Sequence, residues 1–279
     1  MDSIQIKSPA KINLGLNVIE KRSDGYHNIE TIFYPVNIFD NLIFEKSDSF
    51  QFITGNELLE KDEDNLILKA KKKIEEFSNK KLNVKISLEK NIPIGAGLGG
   101  GSSNCAATLL ALNNLFHLQI SENDLKNIAL DLGSDVPFFI DPKPSLAFCR
   151  GEKLKEIDFK INYPILIVNP RIHISTKWAY ENLIPQKPQI KLEELVANKK
   201  IKVEDFKGKI FNNFEKVVFE FYPEVSEIKS QFYKSGALYS LMTGSGSTVF
   251  GIFKDINEAN KAEKFFTQKY YTNIHYEKK

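Results

Sequence analysis

Alternating apolar and polar positions in the first ninety residues predict β-strands. Residues 12–18 place Ile, Leu, Leu and Val at every second position, which is the period of a strand with one buried face. Residues 82–88 repeat this pattern. A β-rich run at 27–38 and two short apolar runs at 42–44 and 50–53 predict three more strands. We therefore expect the first part of the chain to contain an antiparallel sheet.

A different spacing predicts helices. Apolar residues in 66–77 recur every three or four positions, after Asp64 or Asn65 as the N-cap. The run 105–116 is almost wholly apolar, and Ser121 followed by Asp124 has the form of a capping box that opens the next helix. A sheet covered by helices in this order predicts an α+β fold.

The remaining sequence predicts a second, smaller α+β domain. The predicted strands are 145–150, 163–168, 238–241, 249–253 and the C-terminal end, and the predicted helices are 214–221, 225–233 and 257–270. Pro223 separates the first two of these helices. Charged residues dominate 191–209, which predicts a short helix and loops. We place the domain boundary near residues 152–162, which gives domains 1–155 and 156–279.

One segment carries an unusual density of glycine. Residues 93–104 read Pro-Ile-Gly-Ala-Gly-Leu-Gly-Gly-Gly-Ser-Ser-Asn, so five of the chain's 15 glycines fall in a single short stretch. Glycine permits positive φ and close approach to a ligand. A loop that ends at a helix start also directs free N–H groups and the positive end of the helix dipole at one place. A purely structural loop is the alternative, but so much glycine costs folding entropy, and phosphate binding is favoured.

The two common nucleotide motifs do not fit this loop. Gly95, Gly97 and Gly100 satisfy G-x-G-x-x-G, but a second helix follows the first where a dinucleotide-binding unit needs a strand. Gly101 stands where the P-loop pattern requires lysine. A dinucleotide oxidoreductase is therefore disfavoured, and Ser102 and Ser103 offer hydroxyls to a different type of phosphate loop.

Composition and charge limit the kinds of partner that the chain is expected to bind. The formal net charge is +2, with charges of both signs mixed along the chain, so nucleic acid is not expected as a partner. Two cysteines, Cys105 and Cys149, are too few for a disulfide framework or a metal cluster. The N-terminus lacks the pattern of a signal peptide, and no apolar run has the length of a membrane span. We expect a cytoplasmic protein without a membrane partner.

Four other places carry candidate chemistry, each with an ordinary structural alternative. Asp135 follows a Gly-Ser turn and either braces that turn or takes a proton from an alcohol. Lys11 is either solvated or stabilises charge on a transferring phosphoryl group. Tyr26 and His27 are either surface residues or the binding site of a heterocycle. Residues 243–248, Thr-Gly-Ser-Gly-Ser-Thr, are longer than a hairpin needs, which favours ligand contact.

The order of these motifs resembles the GHMP small-molecule kinases. The resemblance lies in residues 8–14 (Ser-Pro-Ala-Lys-Ile-Asn-Leu), in the glycine-rich segment 93–104, and in residues 243–248. It implies a two-domain α+β GHMP kinase fold, with an N-terminal domain similar to a ribosomal-protein domain and a ferredoxin-like C-terminal domain. It also implies an active site in the cleft between them, ATP as co-substrate and Mg²⁺ as the accompanying ion.

Further segments resemble one branch of that family, which phosphorylates a cytidine diphosphate derivative of methylerythritol. They are Pro-Ala-Lys-Ile-Asn-Leu, Asp-Gly-Tyr-His at 24–27, Asp-Asn-Leu at 64–66 and Gly-Ser-Asp-Val-Pro at 133–137. The implied partner is a small-molecule substrate, acted on by a monomer or homodimer. Another GHMP kinase, for mevalonate or homoserine, is the alternative, and a non-enzymatic RNA-binding protein is disfavoured by the charge.

The resemblance assigns roles residue by residue. Asp135 is implied to be the general base and Lys11 its electrostatic partner. No residue matches the glutamate that binds Mg²⁺ in some members, so no metal ligand is assigned. Asn65 and the strand end near Lys90 are implied to lie near adenosine, and Thr176 to orient Asp135. The ATP-binding residues implied are Asn65, Pro93, Gly95, Ala96, Gly97, Leu98, Gly99, Gly100, Gly101, Ser102 and Ser103. The substrate-binding residues implied are Asn13, Tyr26, His27, Thr176 and Tyr180, with Tyr180 stacking on the pyrimidine.

Overall fold

The computed structural model describes residues 2–197 and 202–276, and these form two compact units. The first unit comprises Met1–Ala10, Ile38–Ile94 and Gly99–Pro142. The second comprises Lys11–Asn37, Gly95–Leu98 and Lys143–Lys279. Strands β1 (Ser3–Lys21) and β2 (His27–Lys46) are long, and each contributes residues to both units.

In the first unit, the sheet is built on the end of β2. Strand β4 (Val84–Glu89) pairs antiparallel with β2, from Asn41 opposite Glu89 to Lys46 opposite Val84. Strand β3 (Gln51–Ile53) adds to β4 in parallel. The alternation predicted for residues 82–88 is present, since Val84, Ile86 and Leu88 are buried between less buried neighbours.

The strand predicted at 42–44 is not a separate element. It is the continuation of β2, because Asp40, which reads as a break in the apolar pattern, lies inside the strand and is fully buried. The parallel pairing of β3 also departs from the purely antiparallel sheet predicted for this region.

Helices of the first unit begin where the capping residues predict. Asn65 accepts the N–H of Ile67 at the start of α2 (Leu66–Ser78), and Ser121 accepts the N–H of Asp124 at the start of α4 (Glu122–Leu132). The glycine-rich segment leads directly into α3 (Gly100–Leu115), as predicted. Two shorter elements were not predicted, a single helical turn α1 (Glu57–Glu60) and a 3-10 helix at Pro137–Ile140.

The second unit contains its own antiparallel sheet, formed by β7 (Ile165–Asn169), β8 (Tyr239–Met242), β9 (Val249–Ile252) and β10 (Tyr271–His275). The strand order in this sheet is β10-β7-β9-β8. In the same unit, β5 (Ser145–Cys149) pairs with β2, and β6 (Lys153–Glu156) pairs with β5. All of these strands except β6, which lies within the region proposed as the domain boundary, were predicted.

Helices of the second unit pack on this sheet through a core of aliphatic and phenylalanine side chains. They are α5 (Thr176–Glu181), α7 (Phe214–Phe221), α8 (Pro223–Lys234) and α9 (Ile256–Glu263). The unit also contains α6 (Leu192–Ala197) and a 3-10 helix at Val203–Asp205. Pro223 is the first residue of α8, where its missing N–H costs nothing. Helix α9 is shorter than predicted because the residues after Glu263 form turns, and several of them are aromatic or β-branched, with weak helix propensity.

The predicted domains divide the chain once, whereas the compact units divide it at several places because β1 and β2 each enter both. A division into compact units of several segments does not test a boundary between two consecutive domains, so the boundary at residue 155 remains a prediction. None of the helices in the described part of the chain combines the length and apolar sequence that a membrane span requires.

Close packing of α8 on β9 gives a stability prediction. A Cβ on Gly251 would lie 2.4 Å from the Phe232 ring, so we expect Gly251→Ala to lower the free energy of unfolding by about 1–3 kcal/mol through overpacking. Gly101→Ala is the control, since its Cβ would lie 3.7 Å from Leu66, an ordinary contact. Urea unfolding followed by circular dichroism measures both. Equal stability of the two variants would contradict the packing described.

Candidate active site

The glycine-rich segment ends at an uncapped helix start. Gly99 is the N-cap of α3, has a φ of 71° and makes no side-chain capping bond. The N–H of Ser103 bonds the carbonyl of Gly99 at 2.9 Å, so helix geometry leaves the N–H groups of Gly100, Gly101 and Ser102 without intrahelical acceptors. Gly101 is exposed and Ser102 half-buried. This arrangement suits an anion, as predicted, and the ATP contacts themselves remain a prediction.

Within the second unit, Gly97 packs against the carbonyl of Thr243. A Cβ on Gly97 would lie 2.4 Å from that oxygen, and its φ is 76°, so only glycine fits. The Thr243 hydroxyl in turn donates to the Gly97 carbonyl at 3.3 Å. Residues 95–98 and residues 243–248, which we call the glycine–serine loop, are therefore in direct contact.

Lys11 is buried, with 4% of its surface exposed, so the solvated alternative for this residue is wrong. Its ammonium donates to the Asn13 side-chain oxygen at 2.6 Å and lies 4.9 Å from the centre of the Phe33 ring. The polar positions of β1 thus face a hydrogen-bonding interior. This is why the strand lacks the solvent-facing side that alternation predicted.

Asn13 connects this lysine to the glycine–serine loop. Its N–H donates to the Thr243 hydroxyl at 2.8 Å, and its side-chain amide donates to the Thr31 hydroxyl at 2.9 Å. Thr31 donates onward to the carbonyl of Gly15 at 2.6 Å. Since these groups are all buried, the network fixes the rotamer of Asn13 and with it the position of the Lys11 ammonium.

Two asparagines that sequence reasoning missed hold the glycine–serine loop. The Asn212 amide donates to the carbonyls of Met242 and Gly244, both at 2.8 Å, and the Asn169 amide donates to the Thr248 hydroxyl at 2.9 Å. All six loop residues are buried. A plain hairpin connection would not need such anchoring. The only sequence signal was a polar residue at the end of an apolar strand, as at Asn169.

Helix α5 carries two of the predicted substrate residues. The Thr176 hydroxyl lies 3.1 Å from the Ser245 hydroxyl of the glycine–serine loop. One turn later, Tyr180 stacks on the His27 ring, with 4.8 Å between centroids and 20° between planes. Phe214 meets Tyr180 edge-on at 4.8 Å. The structure therefore brings His27 and Tyr180 together.

Tyr26 has a different environment from its neighbour His27. The residue is 53% exposed, and the guanidinium of Arg150 lies 4.7 Å from the centre of its ring. Arg150 was not among the predicted residues. Its backbone N–H donates to the Glu152 carboxylate at 2.6 Å, and its guanidinium Nε lies 3.6 Å from the other oxygen of that carboxylate.

Asp135 belongs to the first unit and lies in the turn between α4 and the 3-10 helix at Pro137–Ile140. The turn is closed by a hydrogen bond of 3.1 Å from the N–H of Val136 to the carbonyl of Gly133. The side chain of Asp135 is half-buried. Its pairing with Lys11 and its orientation by Thr176, residues of the second unit, remain predictions.

Several predicted ATP ligands have structural roles as well. Asn65 caps α2 and donates to the Leu59 carbonyl at 3.1 Å. Ser103 is buried and accepts a hydrogen bond of 2.6 Å from Ser8. Ala96 and Leu98 are buried, so their backbone is the part suited to a ligand, although the Leu98 carbonyl already accepts the Lys11 N–H. Among the described residues, no group of three or more His, Cys, Asp or Glu could hold a metal ion.

The stack of His27 on Tyr180 gives a prediction for titration. The pKa of His27 is lowered from its ordinary value because burial disfavours the imidazolium, and Lys21 adds positive charge nearby. We expect Tyr180→Ala to raise this pKa towards 6.5 by admitting water to the ring. Proton NMR of the His27 ring signals, recorded across pH 4–9, measures this pKa to about a tenth of a pH unit. An unchanged or lower pKa in the variant would contradict the stacking.

The same depression has a consequence for stability. Because the folded pKa lies below the unfolded one, the contribution of His27 is complete above the unfolded pKa and is lost as the pH falls through the folded value. A histidine whose charged form is stabilised by a carboxylate shows the opposite dependence, because its contribution to stability is lost as the pH rises.

Comparison with known proteins agrees with this architecture. Family models described as the GHMP kinases N terminal domain and GHMP kinases C terminal match residues 65–141 and 195–272. A 4-diphosphocytidyl-2-C-methyl-D-erythritol kinase of Chlorobium phaeobacteroides is 41% identical, covering 96% of this chain and 95% of its own. A protein of the same description from Prosthecochloris aestuarii is 40% identical, covering 97% and 96%.

A solved structure, a crystal structure of 4-(cytidine 5'-diphospho)-2C-methyl-D-erythritol kinase, superposes with a TM-score of 0.83 at 31% identity. The match covers 98% of each chain. The predicted resemblance and the two-domain α+β class are thereby confirmed. The chain belongs to the GHMP kinases, in the family of the 4-diphosphocytidyl-2-C-methyl-D-erythritol kinases.

Proposed function

We propose that this chain transfers the γ-phosphoryl group of ATP to the 2-hydroxyl of 4-diphosphocytidyl-2-C-methyl-D-erythritol, in the non-mevalonate route to isoprenoid precursors. One observation within the second unit carries the proposal beyond family membership. Contacts run without a break from Lys11 through Asn13 and Thr243 into the glycine–serine loop, and from Ser245 to Thr176 on α5. That helix also presents Tyr180 to His27, so a cationic group and a stacking surface share one framework.

The proposed chemistry is an in-line displacement. The 2-hydroxyl gives its proton to Asp135, its oxygen bonds the γ-phosphorus, and the bond from that phosphorus to the bridging oxygen of ADP breaks. Lys11 stabilises the negative charge that develops on the transferring group. The N–H groups at the start of α3 hold the phosphates of the nucleotide, where both their hydrogen-bonding capacity and the helix dipole favour negative charge.

We also propose that Mg²⁺ arrives with ATP. The described residues offer no cluster of three or more ligating side chains, and Mg²⁺ usually keeps several waters and binds phosphates with only one or two carboxylates. When bound, the ion neutralises charge on the phosphate oxygens. The chain's own contribution is to position the phosphates and the acceptor hydroxyl.

Tyr180 is proposed as the surface on which cytosine stacks. The His27 ring already lies parallel to it, which supports the fit of a flat heterocycle at this face. On substrate binding, cytosine takes this place and His27 turns to hydrogen-bond its edge. A lowered pKa keeps the imidazole neutral near pH 7, so that it has both a donor and an acceptor nitrogen. Tyr26 covers the other side of the pyrimidine, and Asn13 contacts the methylerythritol end.

The predictions of a cytoplasmic enzyme and of a monomer or homodimer accompany this function. The cytoplasm supplies the ATP that the proposed reaction consumes, which supports the prediction of a cytoplasmic enzyme. The function needs only one chain, because every proposed group belongs to it.

The proposal predicts substrate selectivity. We expect the protein with Mg-ATP to release ADP when given 4-diphosphocytidyl-2-C-methyl-D-erythritol, and at least about 100-fold more slowly with mevalonate or homoserine, which cannot stack on Tyr180. A coupled assay of ADP release measures all three. Comparable turnover of mevalonate or homoserine would contradict the pyrimidine site, and no turnover of any of them would contradict the proposed acceptor.

A second prediction concerns the general base. Asp135→Asn keeps the shape of the side chain but removes the acceptor for the hydroxyl proton, so we expect kcat to fall at least about 100-fold while the Kd for ATP changes less than about twofold. Asp131→Asn is the matched control, since it removes an exposed carboxylate paired with Lys73 in the same unit. Near-normal kcat in Asp135→Asn would show that another group takes the proton.

A further inference from the structure

Asp40 on β2 is a buried carboxylate that is not among the predicted site residues. It has no exposed surface and accepts four hydrogen bonds from residues on either side of the glycine-rich segment. One oxygen receives the N–H groups of Asn91 and Ile92 at 2.7 and 2.8 Å. The other receives the Lys90 ammonium at 2.5 Å and the Asn104 amide at 2.9 Å. Such complete pairing is what allows a charge to remain in the interior.

The partners of Asp40 come from both sides of the loop. Lys90, Asn91 and Ile92 follow the end of β4 and lead into the glycine-rich segment, whereas Asn104 lies in α3, after it. All of them belong to the first unit. One carboxylate therefore fixes the distance between the chain entering the loop and the helix leaving it.

The ammonium that Asp40 holds lies at the start of α3. A Cβ on Gly100, the first residue of that helix, would be 2.9 Å from the Lys90 Nζ atom. A cation is unfavourable beside the positive end of a helix dipole, and an anion bound there would be attracted by both. Burial lowers the pKa of Lys90, while the attraction of Asp40 opposes that loss of charge. The ion pair with Asp40 therefore balances the charge of the Lys90 ammonium before a ligand arrives.

A second arm of the network reaches a predicted ATP ligand. The Asn104 amide also donates to the Ser8 hydroxyl at 3.1 Å, and Ser8 donates to the Ser103 hydroxyl at 2.6 Å. A serine hydroxyl that accepts a bond keeps its own proton to donate. The orientation of Ser103 thus depends on Asp40 through Asn104 and Ser8.

We propose that Asp40 is a positioning residue for ATP, which sets the Lys90 ammonium and the start of α3 in the geometry that binds the nucleotide phosphates or the adenosine beside them. The inference rests on the ATP-dependent activity proposed above. Asp40 touches no substrate atom itself and acts through Lys90, Asn104 and the backbone of Asn91 and Ile92.

The test is Asp40→Asn. Its amide keeps one oxygen for the two backbone N–H groups but turns an NH₂ towards the ammonium and the Asn104 amide, so two donors lose their acceptor. We expect the Kd for ATP, measured by calorimetry with Mg-ATP and no second substrate, to rise about tenfold. The KM for ATP should rise by a similar factor, while kcat and the KM for the cytidine substrate change less than about twofold.

Lys90→Met keeps the test decisive if Asp40→Asn folds poorly. Lys90→Met removes the ammonium while preserving the aliphatic stem, and we expect it to raise the Kd for ATP at least about fivefold. Combined with Asp40→Asn, it should add little, because both changes remove the same positioned cation. Glu75→Gln is the control: it neutralises a half-buried carboxylate, paired with Lys71 in the same unit, and should leave ATP binding unchanged.

Distinct results separate this inference from the proposed function. If Lys90→Met, and Asp40→Asn where it folds, bind ATP within about twofold of the unchanged protein, the positioning role is wrong, whatever the acceptor substrate is. The positioning role would also be wrong if the double variant raised the Kd for ATP by the product of the two single effects. A rise in the KM for the cytidine substrate as large as the rise in the KM for ATP would overturn it too. If the unchanged protein binds ATP but does not phosphorylate the cytidine substrate, only the proposed function fails.

Discussion

The burial of polar and charged groups on β1 and β2 is the constraint on which the rest of the structure depends. Lys11, Asn13, Thr31 and Asp40 lie on these two strands with almost no exposed surface. Each such group is costly to bury unless its hydrogen bonds are completed. Those bonds are completed by the segments that carry the candidate chemistry, so folding of the strands and placement of the functional loops are one process.

Each unit meets this constraint in its own way. In the first unit, Asp40 joins the residues before and after the glycine-rich segment and so defines the start of α3. In the second, Asn13 joins Lys11 to the glycine–serine loop, and Asn212 and Asn169 secure that loop from the other side. Neutral amides serve here as connectors because one side chain supplies both a donor and an acceptor. The positions of the charged groups are thereby set before any substrate binds.

Much of the fold could be predicted from the sequence because its signals are local. The capping residues Asn65 and Ser121, the helix after the glycines and the interruption at Pro223 each depend on a few neighbouring residues. What could not be predicted depends on contacts between distant segments. The sequence left open whether Lys11 is solvated, because the Phe33 ring that its ammonium faces comes from another strand and is recognisable only in the folded sheet. Strand β2 was predicted as two strands, 27–38 and 42–44, because the partners that allow Asp40 to be buried between them also come from distant segments. Asn212 and Arg150 gave no sequence signal of their own, since their roles arise from loops and rings contributed elsewhere in the chain.

The central claim is that the chain moves a phosphoryl group to one particular oxygen. Phosphorus NMR of the product formed from Mg-ATP and 4-diphosphocytidyl-2-C-methyl-D-erythritol tests it most directly. Carbon 2 of the acceptor carries no hydrogen, so a phosphate on its oxygen gives a new monoester signal without splitting by protons of the ester carbon. We expect that unsplit signal, with one ADP formed for each product molecule. A split signal would place the phosphate on another hydroxyl, and inorganic phosphate in place of the monoester would show that the protein hydrolyses ATP without transfer.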